Sequence, residues 1–455
     1  MAAMLLACGA RVPGMQRAQT ALNFDPNNWR ASTHLANRMK PAEGIDVLKP
    51  VIDRLGSDVE WQKSYLNRSE YSNMLFILAE KTWQQDHKQF DATVEFAKSA
   101  MRVEPFNYPR NLMNLSRCAK EKQWARFMEI LDVIVESSRG LEERALSEMI
   151  ILCIFDMKRE DYLTMMLEAA FHADRLQFIV DAFRDCVERL EARGDRARLC
   201  HLRYYYGRAL MALHSGSPKA IDQWRKAIEE GASADLLSSL ISNIMPYYLQ
   251  RAIKATAAND DEAAAIYLEK IQTLLPEDVP ESSVVLPPAI YIVRYHARKG
   301  DLAQAKLFAR DLVRKGIEIL TDDIEENDFP AYKELLWLFI ALGDEENVKA
   351  IRSLMAARFK EEIRSICGGD CGISLHLADE MIWCQDCIDI KFENTCHGKI
   401  DETGFPFLLC DASHEFMHFS RVDHSQDGFV LIGNDLVSEE EWMRRMQRDY
   451  VKIVC

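Results

Sequence analysis

The stretch GRALMALHSGSPKAIDQWRKA, residues 207–227, decides the fold class. Gly207 stands in an apolar run with helical spacing, Gly216-Ser217-Pro218 breaks that run, and Ala220, Trp224 and Ala227 mark one face of a second helix. Small residues on facing helices let two backbones approach closely, and the bulky side chain fills the gap to whatever packs next. The same small–bulky–small spacing returns at Gly300, Ala305, Ala309 and Leu312, and again at Ala264, Leu268, Ile271 and Pro276. Ala100 followed by Pro105, and Ala21-Leu22 followed by Pro26, repeat the helix ending, because proline cannot continue a helix.

Working outward, residues 1–360 read as helix after helix, with breaks at Asp25-Pro26-Asn27, Glu104-Pro105-Phe106-Asn107, Pro276-Glu277 and Gly300-Asp301. Two polar stretches, 277–288 and 321–330, read as hinges, and the acidic residues Asp322, Asp323, Glu325 and Glu326 as a solvated loop. Almost no period-two alternation occurs before residue 370. The expectation is a mostly α chain, a right-handed α-α superhelix in which each helix pair stacks on the next. An irregular helical bundle is the alternative.

Length and charge narrow the function. A chain of 455 residues is too long for one compact core. Hydrophobic residues at 48% and charged residues at 28% exclude disordered and collagen-like classes. A net charge of −15 argues against a nucleic-acid groove, and the absence of a long apolar run argues against a membrane span. From Cys367 onward Asp and Glu outnumber Lys and Arg by about ten, so much of the charge is local. The apolar run from Ala2 to Ala10 has no basic residue ahead of it, which speaks against a signal peptide. With little chain ahead of Ala21-Leu22 to form a capping helix, the array reads as a fragment of a longer ancestral protein or one with a misassigned start.

Of 12 cysteines, six fall between Cys367 and Cys410, and the others are scattered through helical text. Cys367 and Cys371 flank a Gly-Gly-Asp turn, Cys384 and Cys387 form a CxxC, Cys396 follows, and Cys410 precedes His414 and His418. Zinc takes soft or borderline ligands in a tetrahedron, delivered as close pairs on tight turns. Such a cluster, in a chain without a secreted disulfide pattern, points to structural zinc in a reduced compartment, cytoplasmic or nuclear. No HExxH and no GxxxxGK[ST] is present, so neither metal-assisted hydrolysis nor a P-loop is expected. Asp423 to Gly428 fits half a calcium loop, but Asn434 stands where a bidentate Glu belongs, and a turn into a strand at 429–432 is the better reading. Ser438 to Tyr450 reads as a helix with Ser438 and Glu441 as a capping box and Trp442, Met446 and Tyr450 on one stripe. That stripe is expected to pack on the finger or the last repeat.

The small–bulky–small pairs of residues 10–360 resemble tetratricopeptide repeats with irregular spacing. The cysteine order resembles the ZZ-type zinc finger, a cross-brace in which the first and third pairs share one metal and the second and fourth share another. The resemblance implies one complete site of Cys384, Cys387, Cys410 and His414, and a second of Cys367, Cys371 and Cys396. Three departures stand out. Glu393 occupies the position of the expected fourth cysteine, either as a stand-in carboxylate ligand or facing solvent with the site weak or completed by His397 or water; Cys410 stands where a histidine is usual, and Lys391 replaces an acidic residue. His418 reads as a spare ligand in exchange with His414, or more simply as a strand residue beside Phe416 and Phe419. ZZ fingers hold peptide amines with acidic side chains, which points to Asp389, with Asp370 and Asp386 nearby. Fungal proteins pairing a ragged repeat array with a ZZ-like finger, often behind a STAND-type or NACHT nucleotidase, look similar over nearly the whole chain.

The resulting expectation is a repeat array over 1–360, a finger over 361–425 and a closing strand and helix over 426–455. The chain is read as a non-enzymatic scaffold that binds a protein or peptide, with one or two zinc ions and no nucleic-acid or membrane partner. A ubiquitin-pathway ligase built on the cross-brace is the alternative.

Overall fold

The structure of the chain, a computed structural model, describes residues 11–87, 89–141, 144–155, 160–214, 216–274, 286–359, 364–369, 371, 373–400, 410, 412–422, 428–432 and 435–452. It is mostly helical, with short antiparallel strands near the C-terminus. The chain divides into two compact units, 1–205 and 206–455. The division falls inside a helix, and the cysteine-rich region shares its unit with the helices before it.

The first unit begins with α1 (Arg11–Phe24), α2 (Trp29–Arg38), α3 (Pro41–Ser57), the single turn α4 (Val59–Gln62) and α5 (Tyr65–Gln85). It continues with α6 (Phe90–Val103), α7 (Tyr108–Lys120), α8 (Trp124–Ser137), α9 (Ala145–Phe155), α10 (Glu160–His172) and α11 (Leu176–Arg193). The helices pack mainly on helices one or two places away in sequence. Their apolar stripes close a core that includes Leu48, Phe76, Phe127, Ile134 and Phe183. Asn28 and Asp58 cap helix starts by accepting the N–H groups of Ala31 and Trp61. Gly194 ends α11 at φ 69°, a left-handed stop that glycine adopts without a Cβ penalty.

The second unit contains the end of α12 (Arg196–Leu213), then α13 (Pro218–Glu229), α14 (Ala234–Ala257) and α15 (Asp261–Gln272). After them come α16 (Pro288–Arg298), α17 (Leu302–Leu320), α18 (Asp328–Leu342) and α19 (Glu345–Arg358). The small residues act as their spacing suggests. A Cβ on Gly207 would collide with the indole of Trp224, and Ala220, Trp224 and Ala227 are buried together. Ala305 and Ala309 are fully buried on α17. Of the two expected hinges, the first falls largely outside the described residues. The second is a short 3-10 turn at Glu325–Asn327, with its acidic side chains exposed, leading directly into α18.

Among the described residues seven short strands follow. β1 (Arg364–Ile366) pairs antiparallel with β2 (Ser374–His376). A three-stranded sheet places β3 (Met381–Cys384) between β4 (Lys391–Phe392) and β5 (Phe416–Phe419), with Trp383 opposite Lys391 and Cys384 opposite Phe416. The helix α20 (Asn394–Gly398) lies between these strands in sequence, and β6 (Phe429–Ile432) with β7 (Asp435–Ser438) forms a hairpin. Finally α21 (Glu439–Met446) continues as a wider π turn at Gln447–Val451. Ser438 accepts the Glu441 N–H, whereas the Glu441 carboxylate pairs with Arg444 and Arg445. Trp442, Met446 and Tyr450 are buried; Trp442 donates to Asn347 on α19, and the Tyr450 hydroxyl meets Asp344 at its start.

Candidate metal centre

The β3 strand ends in Cys384, and a tight turn through Gln385 and Asp386 returns Cys387 to the same side. The Cys387 N–H points at Cys384 Sγ, 3.3 Å away, which orients both sulfurs inward. Holding this turn requires Ile388 at φ 66°, a left-handed conformation that a β-branched residue adopts only when its surroundings impose it. Those surroundings are visible: Ile388 is fully buried, its N–H donates to the Cys384 carbonyl, and its own carbonyl accepts Trp383 Nε1–H at 2.5 Å.

Into this turn come Cys410 and His414. The four ligand atoms lie within 4.8 Å of one another, and all four residues are buried. His414 Nδ1 is 3.3 Å from both Cys384 Sγ and Cys387 Sγ. A tetrahedral zinc with bonds of about 2.0–2.3 Å needs ligand separations of roughly 3.5–3.8 Å, so this donor set fits with a slight adjustment. None of the six clustered cysteines is in a disulfide. Burial alone would raise the Cys384 thiol, but hydrogen bonds from Cys387, Cys410 and His414 outweigh it and hold Cys384 well below its ordinary value. Burial, with Cys384 beside it, pushes Cys387 well above. A protein that gathers three sulfurs and an imidazole in a dry pocket has built a place for a soft cation.

The supporting shell comes from helices far away in sequence. The ring of His414 sets Nε2 against the side-chain amide nitrogen of Gln250 on α14, a contact that helps hold the ring with Nδ1 turned toward the sulfurs. Arg294 on α16 is 2% exposed; its Nε bonds Asp386 Oδ1 at 2.7 Å and its Nη2 bonds Glu415 Oε2 at 2.6 Å. Asp386 in turn accepts the Glu415 N–H at 2.9 Å. One guanidinium thus ties together the turn between Cys384 and Cys387 and the residue after His414. Arg352 on α19 donates to the carbonyls of Leu377 and Asp379 and lies over the Phe419 ring; burial pulls its guanidinium down to about 10.

The second group is Cys367, Cys371 and Cys396, again with sulfurs within 4.8 Å; here Cys371 is exposed. Cys367 Sγ accepts the N–H groups of Gly369 and Glu393, each at 3.4 Å, and Cys371 Sγ accepts that of Ile373 at 3.4 Å. The Glu393 carboxylate, expected as a stand-in ligand, caps α20 by accepting the Cys396 N–H at 2.8 Å. His418 joins neither group: it is an exposed residue of β5, opposite Ile382. Its ring lies 5.5 Å from that of His397, which packs edge-on against Phe416.

The acidic residues expected to meet a peptide amine are differently placed. Asp386 is buried against Arg294. Asp389 is half-exposed, accepts from Trp337 Nε1 at 3.3 Å and stands 3.9 Å from Lys391 Nζ. Lys391 itself is buried over the Trp383 ring, 4.4 Å from its centre, and that burial lowers its ammonium below the ordinary range. Asp370 lies outside the described residues, as do the residues of the half calcium loop between 423 and 427. Spacing pointed to the cysteines and His414 that the structure gathers, but nothing near them in sequence signalled Gln250, Arg294 or Arg352.

No family model matches the chain, and a search of curated proteins finds none that matches it. Among the described residues no helix is long and apolar enough to cross a membrane.

Proposed function

We infer that this chain is a non-enzymatic scaffold for protein–protein interaction, a tetratricopeptide-like helical array braced by a ZZ-like finger that holds two zinc ions. The observation that carries the reading is the buried Cys384, Cys387, Cys410 and His414 group. A site in which the protein supplies all four positions leaves none for a substrate, which is the mark of structural zinc. Bound there, zinc would neutralise the gathered thiolates and fix the two loops that Arg294 clamps. The finger therefore braces α14, α16 and α19, with Asp386 committed to that brace.

A groove of about 810 Å³ in the first unit supports a peptide partner. Val135, Leu141 and Phe178 supply apolar wall, while Arg139 and Asp181 add charge of both signs at its edge. Such a mixture suits an extended segment with a hydrophobic anchor and flanking charges.

Zinc per chain, measured by elemental analysis on protein purified without added metal or chelator, tests the metal reading; two ions are expected, and none would sink it. Selection from a random peptide library tests the partner class. The enriched peptides should bind the intact chain and lose affinity in Phe178→Ala. Autoubiquitination with a panel of conjugating enzymes, lost in Cys384→Ala, would instead establish the ligase.

A further inference from the structure

Helix α21 sits on its neighbours as a helical peptide sits in a groove. In α21 and the π turn that follows it, Trp442, Met446 and Tyr450 are no more than 5% exposed, whereas Arg444, Gln447, Arg448 and Asp449 face solvent. The groove is built from α17, α18 and α19. Tyr450 packs edge-on against Phe339 at 5.3 Å, and Lys306 Nζ lies 4.9 Å from the centre of its ring. The polar tips of both aromatic residues are answered from the start of α19: Trp442 Nε1 donates to Asn347 Oδ1 at 2.7 Å, and the Tyr450 hydroxyl donates to Asp344. These two acceptors hold each other. Asp344 caps α19 by accepting the Asn347 N–H at 3.1 Å, and it also accepts the Asn347 side-chain amide at 2.8 Å. The pair is thus preorganised by α19 itself. At the other end of the groove Arg358 and the Tyr332 hydroxyl hold Glu439.

The occupant is less regular than its groove. An α-helix turns about 100° per residue, so residues eight apart end about 80° from one another around the axis. Trp442 and Tyr450 are eight apart, and both reach the groove because the chain leaves α geometry at Gln447–Val451 for a wider π turn, a rare distortion. On a regular helix, residues seven apart lie within about 20° of one another. We propose that the groove of α17, α18 and α19 is a docking site for an amphipathic helix of a partner protein, with α21 as its built-in, displaceable occupant. The partner helix carries tryptophan and tyrosine seven residues apart, a methionine or aliphatic side chain between them, and an acidic residue one turn ahead. Arg358 selects the acid, and Asn347 and Asp344 select the two aromatic donors. Because α21 touches the groove with one face only, its release leaves α17, α18 and α19 packed on one another. The site lies wholly in the second unit and rests on neither the zinc reading nor the groove at Phe178.

Amide hydrogen exchange on the full-length protein tests this. Residues 439–452 should exchange by local opening, faster than α18 and α19. A saturating peptide should speed them further while α18 and α19 stay protected. The peptide is residues 439–452 with Gln447 omitted, acetylated and amidated, which sets its tryptophan and tyrosine seven apart. A fluorescein-labelled copy, followed by anisotropy, should bind the full-length Trp442→Ala variant at least about 10-fold more tightly than wild type, because the intramolecular occupant no longer competes. Adding Asn347→Ala should remove that gain. Exchange of 439–452 only together with the global opening of α18 would overturn the proposal, whether or not Trp442→Ala folds, since α21 would then be a fixed part of the core. Equal competition by the peptide of natural, eight-residue spacing would overturn it too, as would equal competition by a peptide with both aromatic residues replaced by alanine. Concentration-dependent dimers of the wild type, abolished in Trp442→Ala, would give the groove to a second copy and overturn the partner reading.

Discussion

Replacing Arg294 by Met should be among the most damaging single changes on α16. The substitution keeps the length and apolar bulk of the side chain and removes its charge. Asp386, whose carboxylate is 4% exposed, then keeps the Glu415 N–H and, at 3.8 Å, the Arg298 guanidinium, so the loss falls at the low end of the range for a broken buried pair. Stranding one partner of a buried pair costs about 3–5 kcal/mol, whereas losing the half-exposed Glu415 pairing adds no more than about 1 kcal/mol. If charge is the cause, the double variant Arg294→Met with Asp386→Asn should recover most of the loss, because Asn still accepts the Glu415 N–H and carries no charge. Urea denaturation of the zinc-loaded proteins, monitored by far-ultraviolet circular dichroism, gives the four corners of the cycle. The coupling should exceed about 1 kcal/mol. The same clamp holds both ligand loops, so zinc transfer to a chelator should be faster in the single variant than in the double. The reasoning is refuted if the single variant loses less than 1 kcal/mol, or if the double variant is no better.

Three further outcomes are expected. Gln250→Ala removes the outer partner of His414 and should weaken zinc at the Cys384 group about 10–100-fold in a competition titration, with helix content unchanged. Gly207→Ala pushes a methyl into the buried indole of Trp224 and should cost about 1–3 kcal/mol, read as a lowered Tm, because neither helix can withdraw without opening the core. His296 is held below its ordinary 6.5 mainly by burial, and its ring stacks on Phe308. A base with a depressed folded pKa contributes stability that is present above the unfolded value and lost as pH falls through the folded one. Between about pH 7 and 5, then, the wild type should lose more stability than His296→Phe, and parallel pH curves for the two would refute this assignment.

The helical part was legible because its signals are local. Gly207 and Trp224 lie within one hairpin, and Asp260, Asp301 and Asp344 each cap the helix they precede by accepting an N–H three residues on. The cysteine and histidine cluster was legible for the same reason, since the CxxC at Cys384 and the Cys410–His414 step are short-range patterns that the structure brings together. What could not be read is long-range. The partner of Asp386 lies 92 residues earlier, and an aspartate between two zinc cysteines reads equally well as a solvent-facing recognition group. Only the packing of the finger against α16 decides between a recognition carboxylate and an internal ion pair. Glu393 illustrates a subtler limit. Its sequence position suits a ligand, but the residue also begins α20, and the orphan N–H of Cys396 claims the carboxylate. Ile388 gave no signal at all, because nothing about isoleucine announces a positive φ.

The order of the chain also sets an order of assembly. Translation delivers α14, α16 and most of the helical platform before the first cysteine of the finger exists. At about 5–20 residues per second, the 92 residues between Arg294 and Asp386 correspond to roughly 5–20 s during which that guanidinium has no carboxylate to meet. The second unit therefore lacks the partner of the Arg294 guanidinium until the segment that carries Asp386 emerges. If the Cys384 group takes up zinc as proposed, zinc supply to a nascent chain would become a checkpoint on the maturation of this helical unit.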